Sequence, residues 1–277
     1  MKTVALPSGQ PVSAFGIGTW RMGEDPSKRG QEIATLRLAL DSGVTLIDTA
    51  EMYGEGEAEK LIGEALRGRR SEFFLVSKVY PHNASRTGAV AACERSLGRL
   101  GTDHIDLYLL HWPGDVPLSE TMQAFKELQR AGKIRYYGVS NFDLSEMQEL
   151  WKVAGGKDIA TDQVLYNLTR RGIEWDLLPW LREHHIPLMA YSPIEQSRLL
   201  EHAGLQRIAR SSGSTPAQLA LAWLLTKDNV IVIPKASTPE HLKENLKAVE
   251  HRLTEQQMSE LDRLFPAPNG PGPLEML

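Results

Sequence analysis

Eight short runs rich in apolar and β-forming residues recur along the chain at near-regular intervals, and a helical pattern follows each of them. The runs are AFGIG (14–18), TLIDT (45–49), FFLVSK (73–78), IDLYLLH (105–111), IRYYGVS (134–140), ATDQVLY (160–166), IPLMAYS (186–192) and VIVIPK (230–235). Such runs read as strands covered on both faces, the habit of parallel sheets. The intervening helical patterns include QEIATLRLALDSG and LSETMQAFKELQRAG, and several end in glycine where a helix terminus wants a left-handed residue. This alternation predicts an α/β fold, a (β/α)8 or TIM barrel formed as one domain over residues 1–277, with a doubly wound open sheet as the alternative. An open sheet would carry a GxGxxG turn after its first strand. GIGTWRMG (16–23) lacks that spacing, and no helix follows it directly.

Outside the repeated unit, TVALPSGQPVSAFG reads as an N-terminal β-hairpin across one end of the fold. The connection between the seventh and eighth strands is the longest and holds two helix candidates, the second opened by the start signal STP (214–216). An extra C-terminal helix is expected over TEQQMSELDRL (254–264), and the Pro/Gly-rich PAPNGPGPLEML after it is assigned no structure.

A chain that is 42% hydrophobic can bury a full core at this length. Its net charge of −4 leaves no broad basic field for nucleic acid or an anionic membrane surface. The longest apolar helix candidate, LALAWLL (219–225), is far short of the roughly 20 residues that cross a bilayer. The start, MKTVALPSGQPV, has no apolar stretch of signal-peptide length. One cysteine, Cys93, allows no internal disulfide and no cysteine-built metal site, which suits a reducing cytoplasm. Cys93 itself reads as a small packing residue on a helix.

Three strands end in groups that packing alone does not call for: Asp48, Lys78 and His111. In a barrel, reactive groups collect at the C-terminal ends of the strands, and neighbouring strands lie about 4.8 Å apart, so these three side chains should meet. Tyr53 follows Asp48 within a short turn that can fold its phenol over the same mouth. A free tyrosine titrates near 10, a reluctant proton donor at neutral pH. A lysine beside it, held charged by a carboxylate, is expected to lower that value. His111 could then position a carbonyl oxygen. Such a set serves the conversion of a carbonyl to an alcohol and calls for a hydride source. Taken singly, Lys78 could instead be a Schiff-base lysine of an aldolase. His111 could also be a metal ligand, but no HxH or HExxH spacing supports it, and no metal is expected.

The segments DTAEMYGEGEAEKLIGEAL, LVSKVY, DLYLLHWP, GVSNF, AYSP and IPKAST, in this order over residues 14 to 250, resemble the successive signatures of the aldo-keto reductase family. The resemblance implies that Asp48, Tyr53, Lys78 and His111 form a catalytic tetrad with Tyr53 as general acid. It implies NAD(P)H across the barrel mouth, with Ser140, Asn141 and Gln163 at the nicotinamide carboxamide and Tyr191, followed by Ser192, stacked on the ring. Lys235, Ser237, Thr238 and His241 belong to the phosphate end, and Glu244 and Asn245 match positions that touch adenine. The helix starting at STPEHLKEN offers free N–H groups suited to an anion. His241 stands where the family commonly has an arginine on the 2′-phosphate. NADPH is nevertheless the expected cofactor, with NADH as the alternative. Asp162 before Gln163, and Leu165 and Asn167-Leu168 after it, also depart from the family pattern. Trp20, Met52, Tyr80 and Trp112 should line an open, permissive substrate pocket.

The DTAEMYGEGEAEK run and the PAP tail most resemble bacterial reductases of methylglyoxal and related small aldehydes. The resemblance thus implies an NADPH-dependent oxidoreductase, a cytoplasmic monomer acting on small carbonyl compounds. A nucleotide-holding sensor or regulatory subunit on the same fold is the alternative. A phosphosugar isomerase or aldolase would be active without nicotinamide.

Overall fold

The computed structural model describes residues 1–277. Two short strands, β1 (Thr3–Ala5) and β2 (Pro11–Ser13), pair antiparallel as the expected hairpin. Eight parallel strands follow: β3 (Gly16–Gly18), β4 (Leu46–Asp48), β5 (Phe74–Val79), β6 (Ile105–Leu110), β7 (Ile134–Ser140), β8 (Asp162–Leu165), β9 (Leu188–Tyr191) and β10 (Val230–Val232). Each pairs with the next in chain order. Bridges from Phe15 to Val232 and from Gly18 to Lys235 close β3 onto the segment running through β10, making the sheet a (β/α)8 barrel. Closure brings backbones close together at β3. A Cβ on Gly16 would stand 2.4 Å from Leu46 Cδ2, so only glycine fits there.

Helices α1 (Arg29–Asp41), α2 (Glu57–Ala65), α3 (Arg86–Leu100), α4 (Leu118–Arg130), α5 (Leu144–Lys152) and α6 (Leu177–Glu183) follow β3 to β8 in turn. The long connection after β9 holds two, α7 (Ala203–Ser211) and α8 (Pro216–Thr226). Helices α9 (Pro239–Glu250) and α10 (Glu255–Leu264) follow β10. The start signal before α8 works as read: Thr215 and Gln218 form a reciprocal capping box with Pro216 at the first helical position. No helix is long and apolar enough to cross a membrane.

The strands are shorter than their apolar runs suggest, because the ladder stops where the chain turns out at each end of the barrel. VIVIPK, for example, is strand only to Val232.

The core has two compartments. A large cluster fills the space between sheet and helices, and a smaller one fills the barrel interior. The inner cluster takes Leu46, Val76, Leu107, Leu109, Met189, Ile231 and Ile233 from the strands and Val4, Leu6 and Val12 from the hairpin, which plugs the N-terminal end. Side chains on one face of a strand recur every second residue. The inward series therefore run Leu46–Asp48, Val76–Lys78, Leu109–His111, Met189–Tyr191 and Ile233–Lys235. Each is apolar at depth and polar at the C-terminal rim, and this two-residue step carries functional groups to the mouth.

Candidate active site

At the mouth lies a cavity of about 550 Å³, within the usual range of small-molecule sites. Asp48, Tyr53, His111, Trp20, Met52, Trp112, Ser140, Asn141, Gln163, Tyr191, Ser192 and Lys235 all line it. Lys78 lies just beneath, fully buried. Its Nζ donates to Asp48 Oδ1 at 2.8 Å and Oδ2 at 2.9 Å, to the Thr49 carbonyl at 2.8 Å and to the Tyr53 hydroxyl at 3.1 Å. The His111 ring stands edge-on to Tyr53, centroids 5.8 Å apart. The four residues expected to meet are thus one contiguous group.

The electrostatics correct one expectation. Tyr53 is not brought down by its lysine: burial, and then the negative charge of Asp48, push the phenol well above its ordinary value. The Lys78 charge is matched at contact by Asp48, so little net positive field reaches the hydroxyl. Burial also lowers the Lys78 ammonium, with Asp48 opposing that shift. Burial, followed by the Lys78 charge, drives His111 well below its ordinary value, so the imidazole is neutral. Its Nδ1 is buried without a partner, which leaves Nε2 as the nitrogen able to reach the cavity.

A second layer holds this group in place. Gln163 Nε2 donates to Asp48 Oδ1 at 2.8 Å. Asn141, in a left-handed turn at φ 59°, donates through Nδ2 to the His111 carbonyl at 3.1 Å and accepts from the Tyr191 hydroxyl at 2.9 Å. Ser140 Oγ donates to the Gln163 carbonyl at 2.7 Å. These three residues therefore tie the neighbouring strand ends together as well as facing the cavity.

Tyr80 falls outside the cavity lining, against expectation. It stands behind Trp112, perpendicular with centroids 5.8 Å apart, and 4.6 Å from the His82 ring. The backbone turns away at the end of β5, so Tyr80 braces the wall instead of forming it. Ser237, Thr238, His241, Glu244 and Asn245 also lie beyond the lining, on the first turns of α9 and the approach to it. Thr238 caps that helix by accepting from the His241 amide. Lys235 is half-buried, makes no ion pair, and has its pKa lowered by burial.

Sequence reading missed Arg21, Ile194, Gln196, Ser197, Met276 and Leu277, all of which line the cavity. For the last two, the apolar LEML at the end of a Pro/Gly-rich stretch was the available signal. The tail from 266 onward, assigned no structure, follows a defined path: Leu274 packs on the core and Glu275 pairs with Arg170. Cys93 is buried in α3, and burial pushes its thiol up to about 12, as a packing residue requires.

A phosphate-bearing nicotinamide nucleotide fits this donor set. The Lys235 ammonium is uncommitted, the Glu240 amide in the first turn of α9 has no backbone acceptor, and Gln163 Oε1 has no partner. Known proteins agree with the geometry. The aldo/keto reductase family model matches residues 14–265. Methylglyoxal reductase YeaE of Escherichia coli (strain K12) is 48% identical over 100% of this chain and 99% of its own. Glyoxal reductase of Bacillus subtilis (strain 168) is 33% identical over 99% and 97%. The crystal structure of an aldo/keto reductase from Klebsiella pneumoniae in complex with NADP and acetate superposes with a TM-score of 0.97. It is 48% identical and covers 100% of this chain and 99% of that one. With matching residues, barrel and site along its whole length, this chain belongs to the aldo/keto reductase family.

Proposed function

We propose that the protein is an NADPH-dependent carbonyl reductase that converts aldehydes and ketones to alcohols, with small dicarbonyls of the methylglyoxal type among its substrates. Relatives named as methylglyoxal and glyoxal reductases, and a structural neighbour holding NADP, support the substrate class and the cofactor. The observation that carries the reading is the Tyr53 hydroxyl, 3.1 Å from Lys78 Nζ and beside a neutral imidazole at the cavity wall.

NADPH supplies the hydride. The chain's own groups handle the oxygen. With its proton on Nε2, neutral His111 donates a hydrogen bond to the substrate oxygen and orients it without adding a charge. Tyr53 is a protonated phenol in the neutral range, as a tyrosine of ordinary pKa already is, so it enters each turnover carrying the proton to donate. As negative charge develops on the oxygen, the phenol proton moves to it, and the phenolate left behind is met by the Lys78 ammonium. Asp48 holds that ammonium charged despite its burial. The raised pKa makes the phenol a more reluctant donor in the resting site, and Lys78 offsets this by stabilising the phenolate product. At the far end, Lys235 and the first turn of α9 would hold the phosphates, with Ser237, Thr238 and His241 beside them and Glu244 and Asn245 toward the adenine. Ser140, Asn141 and Gln163 would hold the carboxamide, and Tyr191 with Ser192 would border the ring. Every group invoked lies on one barrel, which supports a single domain.

Tyr53→Phe should lower the rate of carbonyl-dependent NADPH oxidation by about 10²–10⁴-fold while leaving the nucleotide dissociation constant unchanged. The rate is read from nicotinamide absorbance and the affinity by fluorescence titration. A rate within tenfold of the native enzyme would remove Tyr53 as the acid. Nucleotide binding with no turnover of any carbonyl by the native protein would favour a sensor role.

A further inference from the structure

Two walls of the cavity belong to segments distant in sequence. One is the connection after β9, which contributes Ser192, Ile194, Gln196 and Ser197. The other is the tail, which contributes Met276 and Leu277. The first wall is locally strained: Ser192, Glu195, Gln196 and Ser197 all have positive φ, between 46° and 74°, and none is glycine. Such a backbone persists only if something holds it. The holder is Glu195, which turns inward, is 5% exposed, and accepts from Asn167 Nδ2 at 2.7 Å. Asn167 Nδ2 also donates to the Ser192 carbonyl at 2.9 Å.

The other Glu195 oxygen receives Arg170 through Nη2 at 2.8 Å and Nε at 3.1 Å, with Arg198 at 3.1 Å. Arg170 is also the residue that grips the tail, donating from Nη1 to Glu275. A crevice of about 270 Å³ runs alongside this contact, between the tail and the starts of α5 and α6. The tail is therefore not packed flush there, and the ion pair is one of its attachments, beside Leu274 on the core.

We propose that Arg170 is a positioning residue joining the two walls, so that whatever fixes segment 192–197 also fixes segment 274–277. A planar guanidinium suits the task, because it serves one carboxylate through Nε and Nη2 and a second through Nη1. Coupling of this kind is reciprocal: a ligand seated against one wall tightens the other. Taking NADPH as that ligand rests on the carbonyl-reductase reading; the coupling itself does not.

Hydrogen–deuterium exchange on the full chain tests it. Without ligand, Glu195→Gln should speed exchange in peptides covering 272–277 by about 3-fold, although Glu195 does not touch them, with β5 and β6 unchanged. Tail exchange equal to that of the native protein would overturn the proposal. Glu275→Gln, an exposed change that spares the core, provides the second arm. NADPH should slow exchange at both 192–198 and 272–277 in the native protein, but at 192–198 alone in the variant. Undiminished tail protection in Glu275→Gln would mean that the ligand reaches the tail without Arg170 and would also overturn it. If NADPH failed to bind at all, the functional reading would fall and the ligand-free comparison would still decide the coupling.

Discussion

At position 162 the chain carries an acid with nowhere to put its charge. Asp162 alternates with Gln163 on β8, so while Gln163 faces the barrel interior, Asp162 is turned into the packed layer outside it and is fully buried. Neither carboxyl oxygen has a hydrogen-bond partner. The Phe142 amide is near enough to ease the charge but falls short of a bond. Burial consequently raises its pKa well above 3.8. Below that ordinary value both folded and unfolded chains are protonated, and the acid costs nothing extra. As pH climbs from there toward the raised value, the unfolded chain ionises first, and stability is lost. Asp162→Asn, which keeps an acceptor and removes the ionisation, should stabilise the fold by about 1–3 kcal/mol at pH 7.5 and by little at pH 4. Thermal melts at the two pH values check it, and an equal gap at both would show that the acid is not the cost. Its departure from the family pattern made Asp162 noticeable in the sequence. That it would be an orphan was not visible, because partners across the layer come from residues far away in the chain.

Among the elements, α9 is where the proposed reading puts the discrimination between the two nicotinamide cofactors. Its first turn combines the Thr238 cap, Pro239 and an exposed His241, with Lys235 just before it. An imidazole lacks the planar two-pronged donor set that a guanidinium offers a phosphate. His241→Arg should therefore raise the preference for NADPH over NADH on the order of tenfold, measured as the ratio of dissociation constants. An unchanged ratio would mean that the 2′-phosphate does not approach this turn. The same helix shows why elements were legible. Its cap, its proline and its apolar spacing are local, as are the capping boxes at Thr215 and Asp143 and the inward step that ends each strand in a polar group. The Tyr53 pKa was misjudged for the opposite reason: it depends on the balance between Lys78 and Asp48 at contact distance, which spacing along the chain cannot weigh. Met276 and Leu277 escaped notice because they reach the mouth from the far end of the sequence, and Tyr80 was placed a layer too far forward because the turn after β5 decides its direction.

For the whole molecule, the two ends of the barrel do separate work. The hairpin end is apolar and closed, with Leu6 only 2% exposed among Leu46, Leu107 and Ile231, while all the chemistry lies at the other end. Leu6→Ala should cost about 2–4 kcal/mol of stability, seen in denaturant melts, and leave kcat within twofold. A large fall in kcat would mean that packing at the base sets the geometry at the rim. Because that base is plugged, the barrel is a cup and not a pipe. Reactants and products share one doorway, in a cavity lined by Trp20, Met276 and Leu277 among others. An outgoing alcohol and an incoming aldehyde cannot pass through separate ports, so traffic is one-way at any instant. A bulky visitor wedged in the doorway would lock occupants in as effectively as it keeps newcomers out.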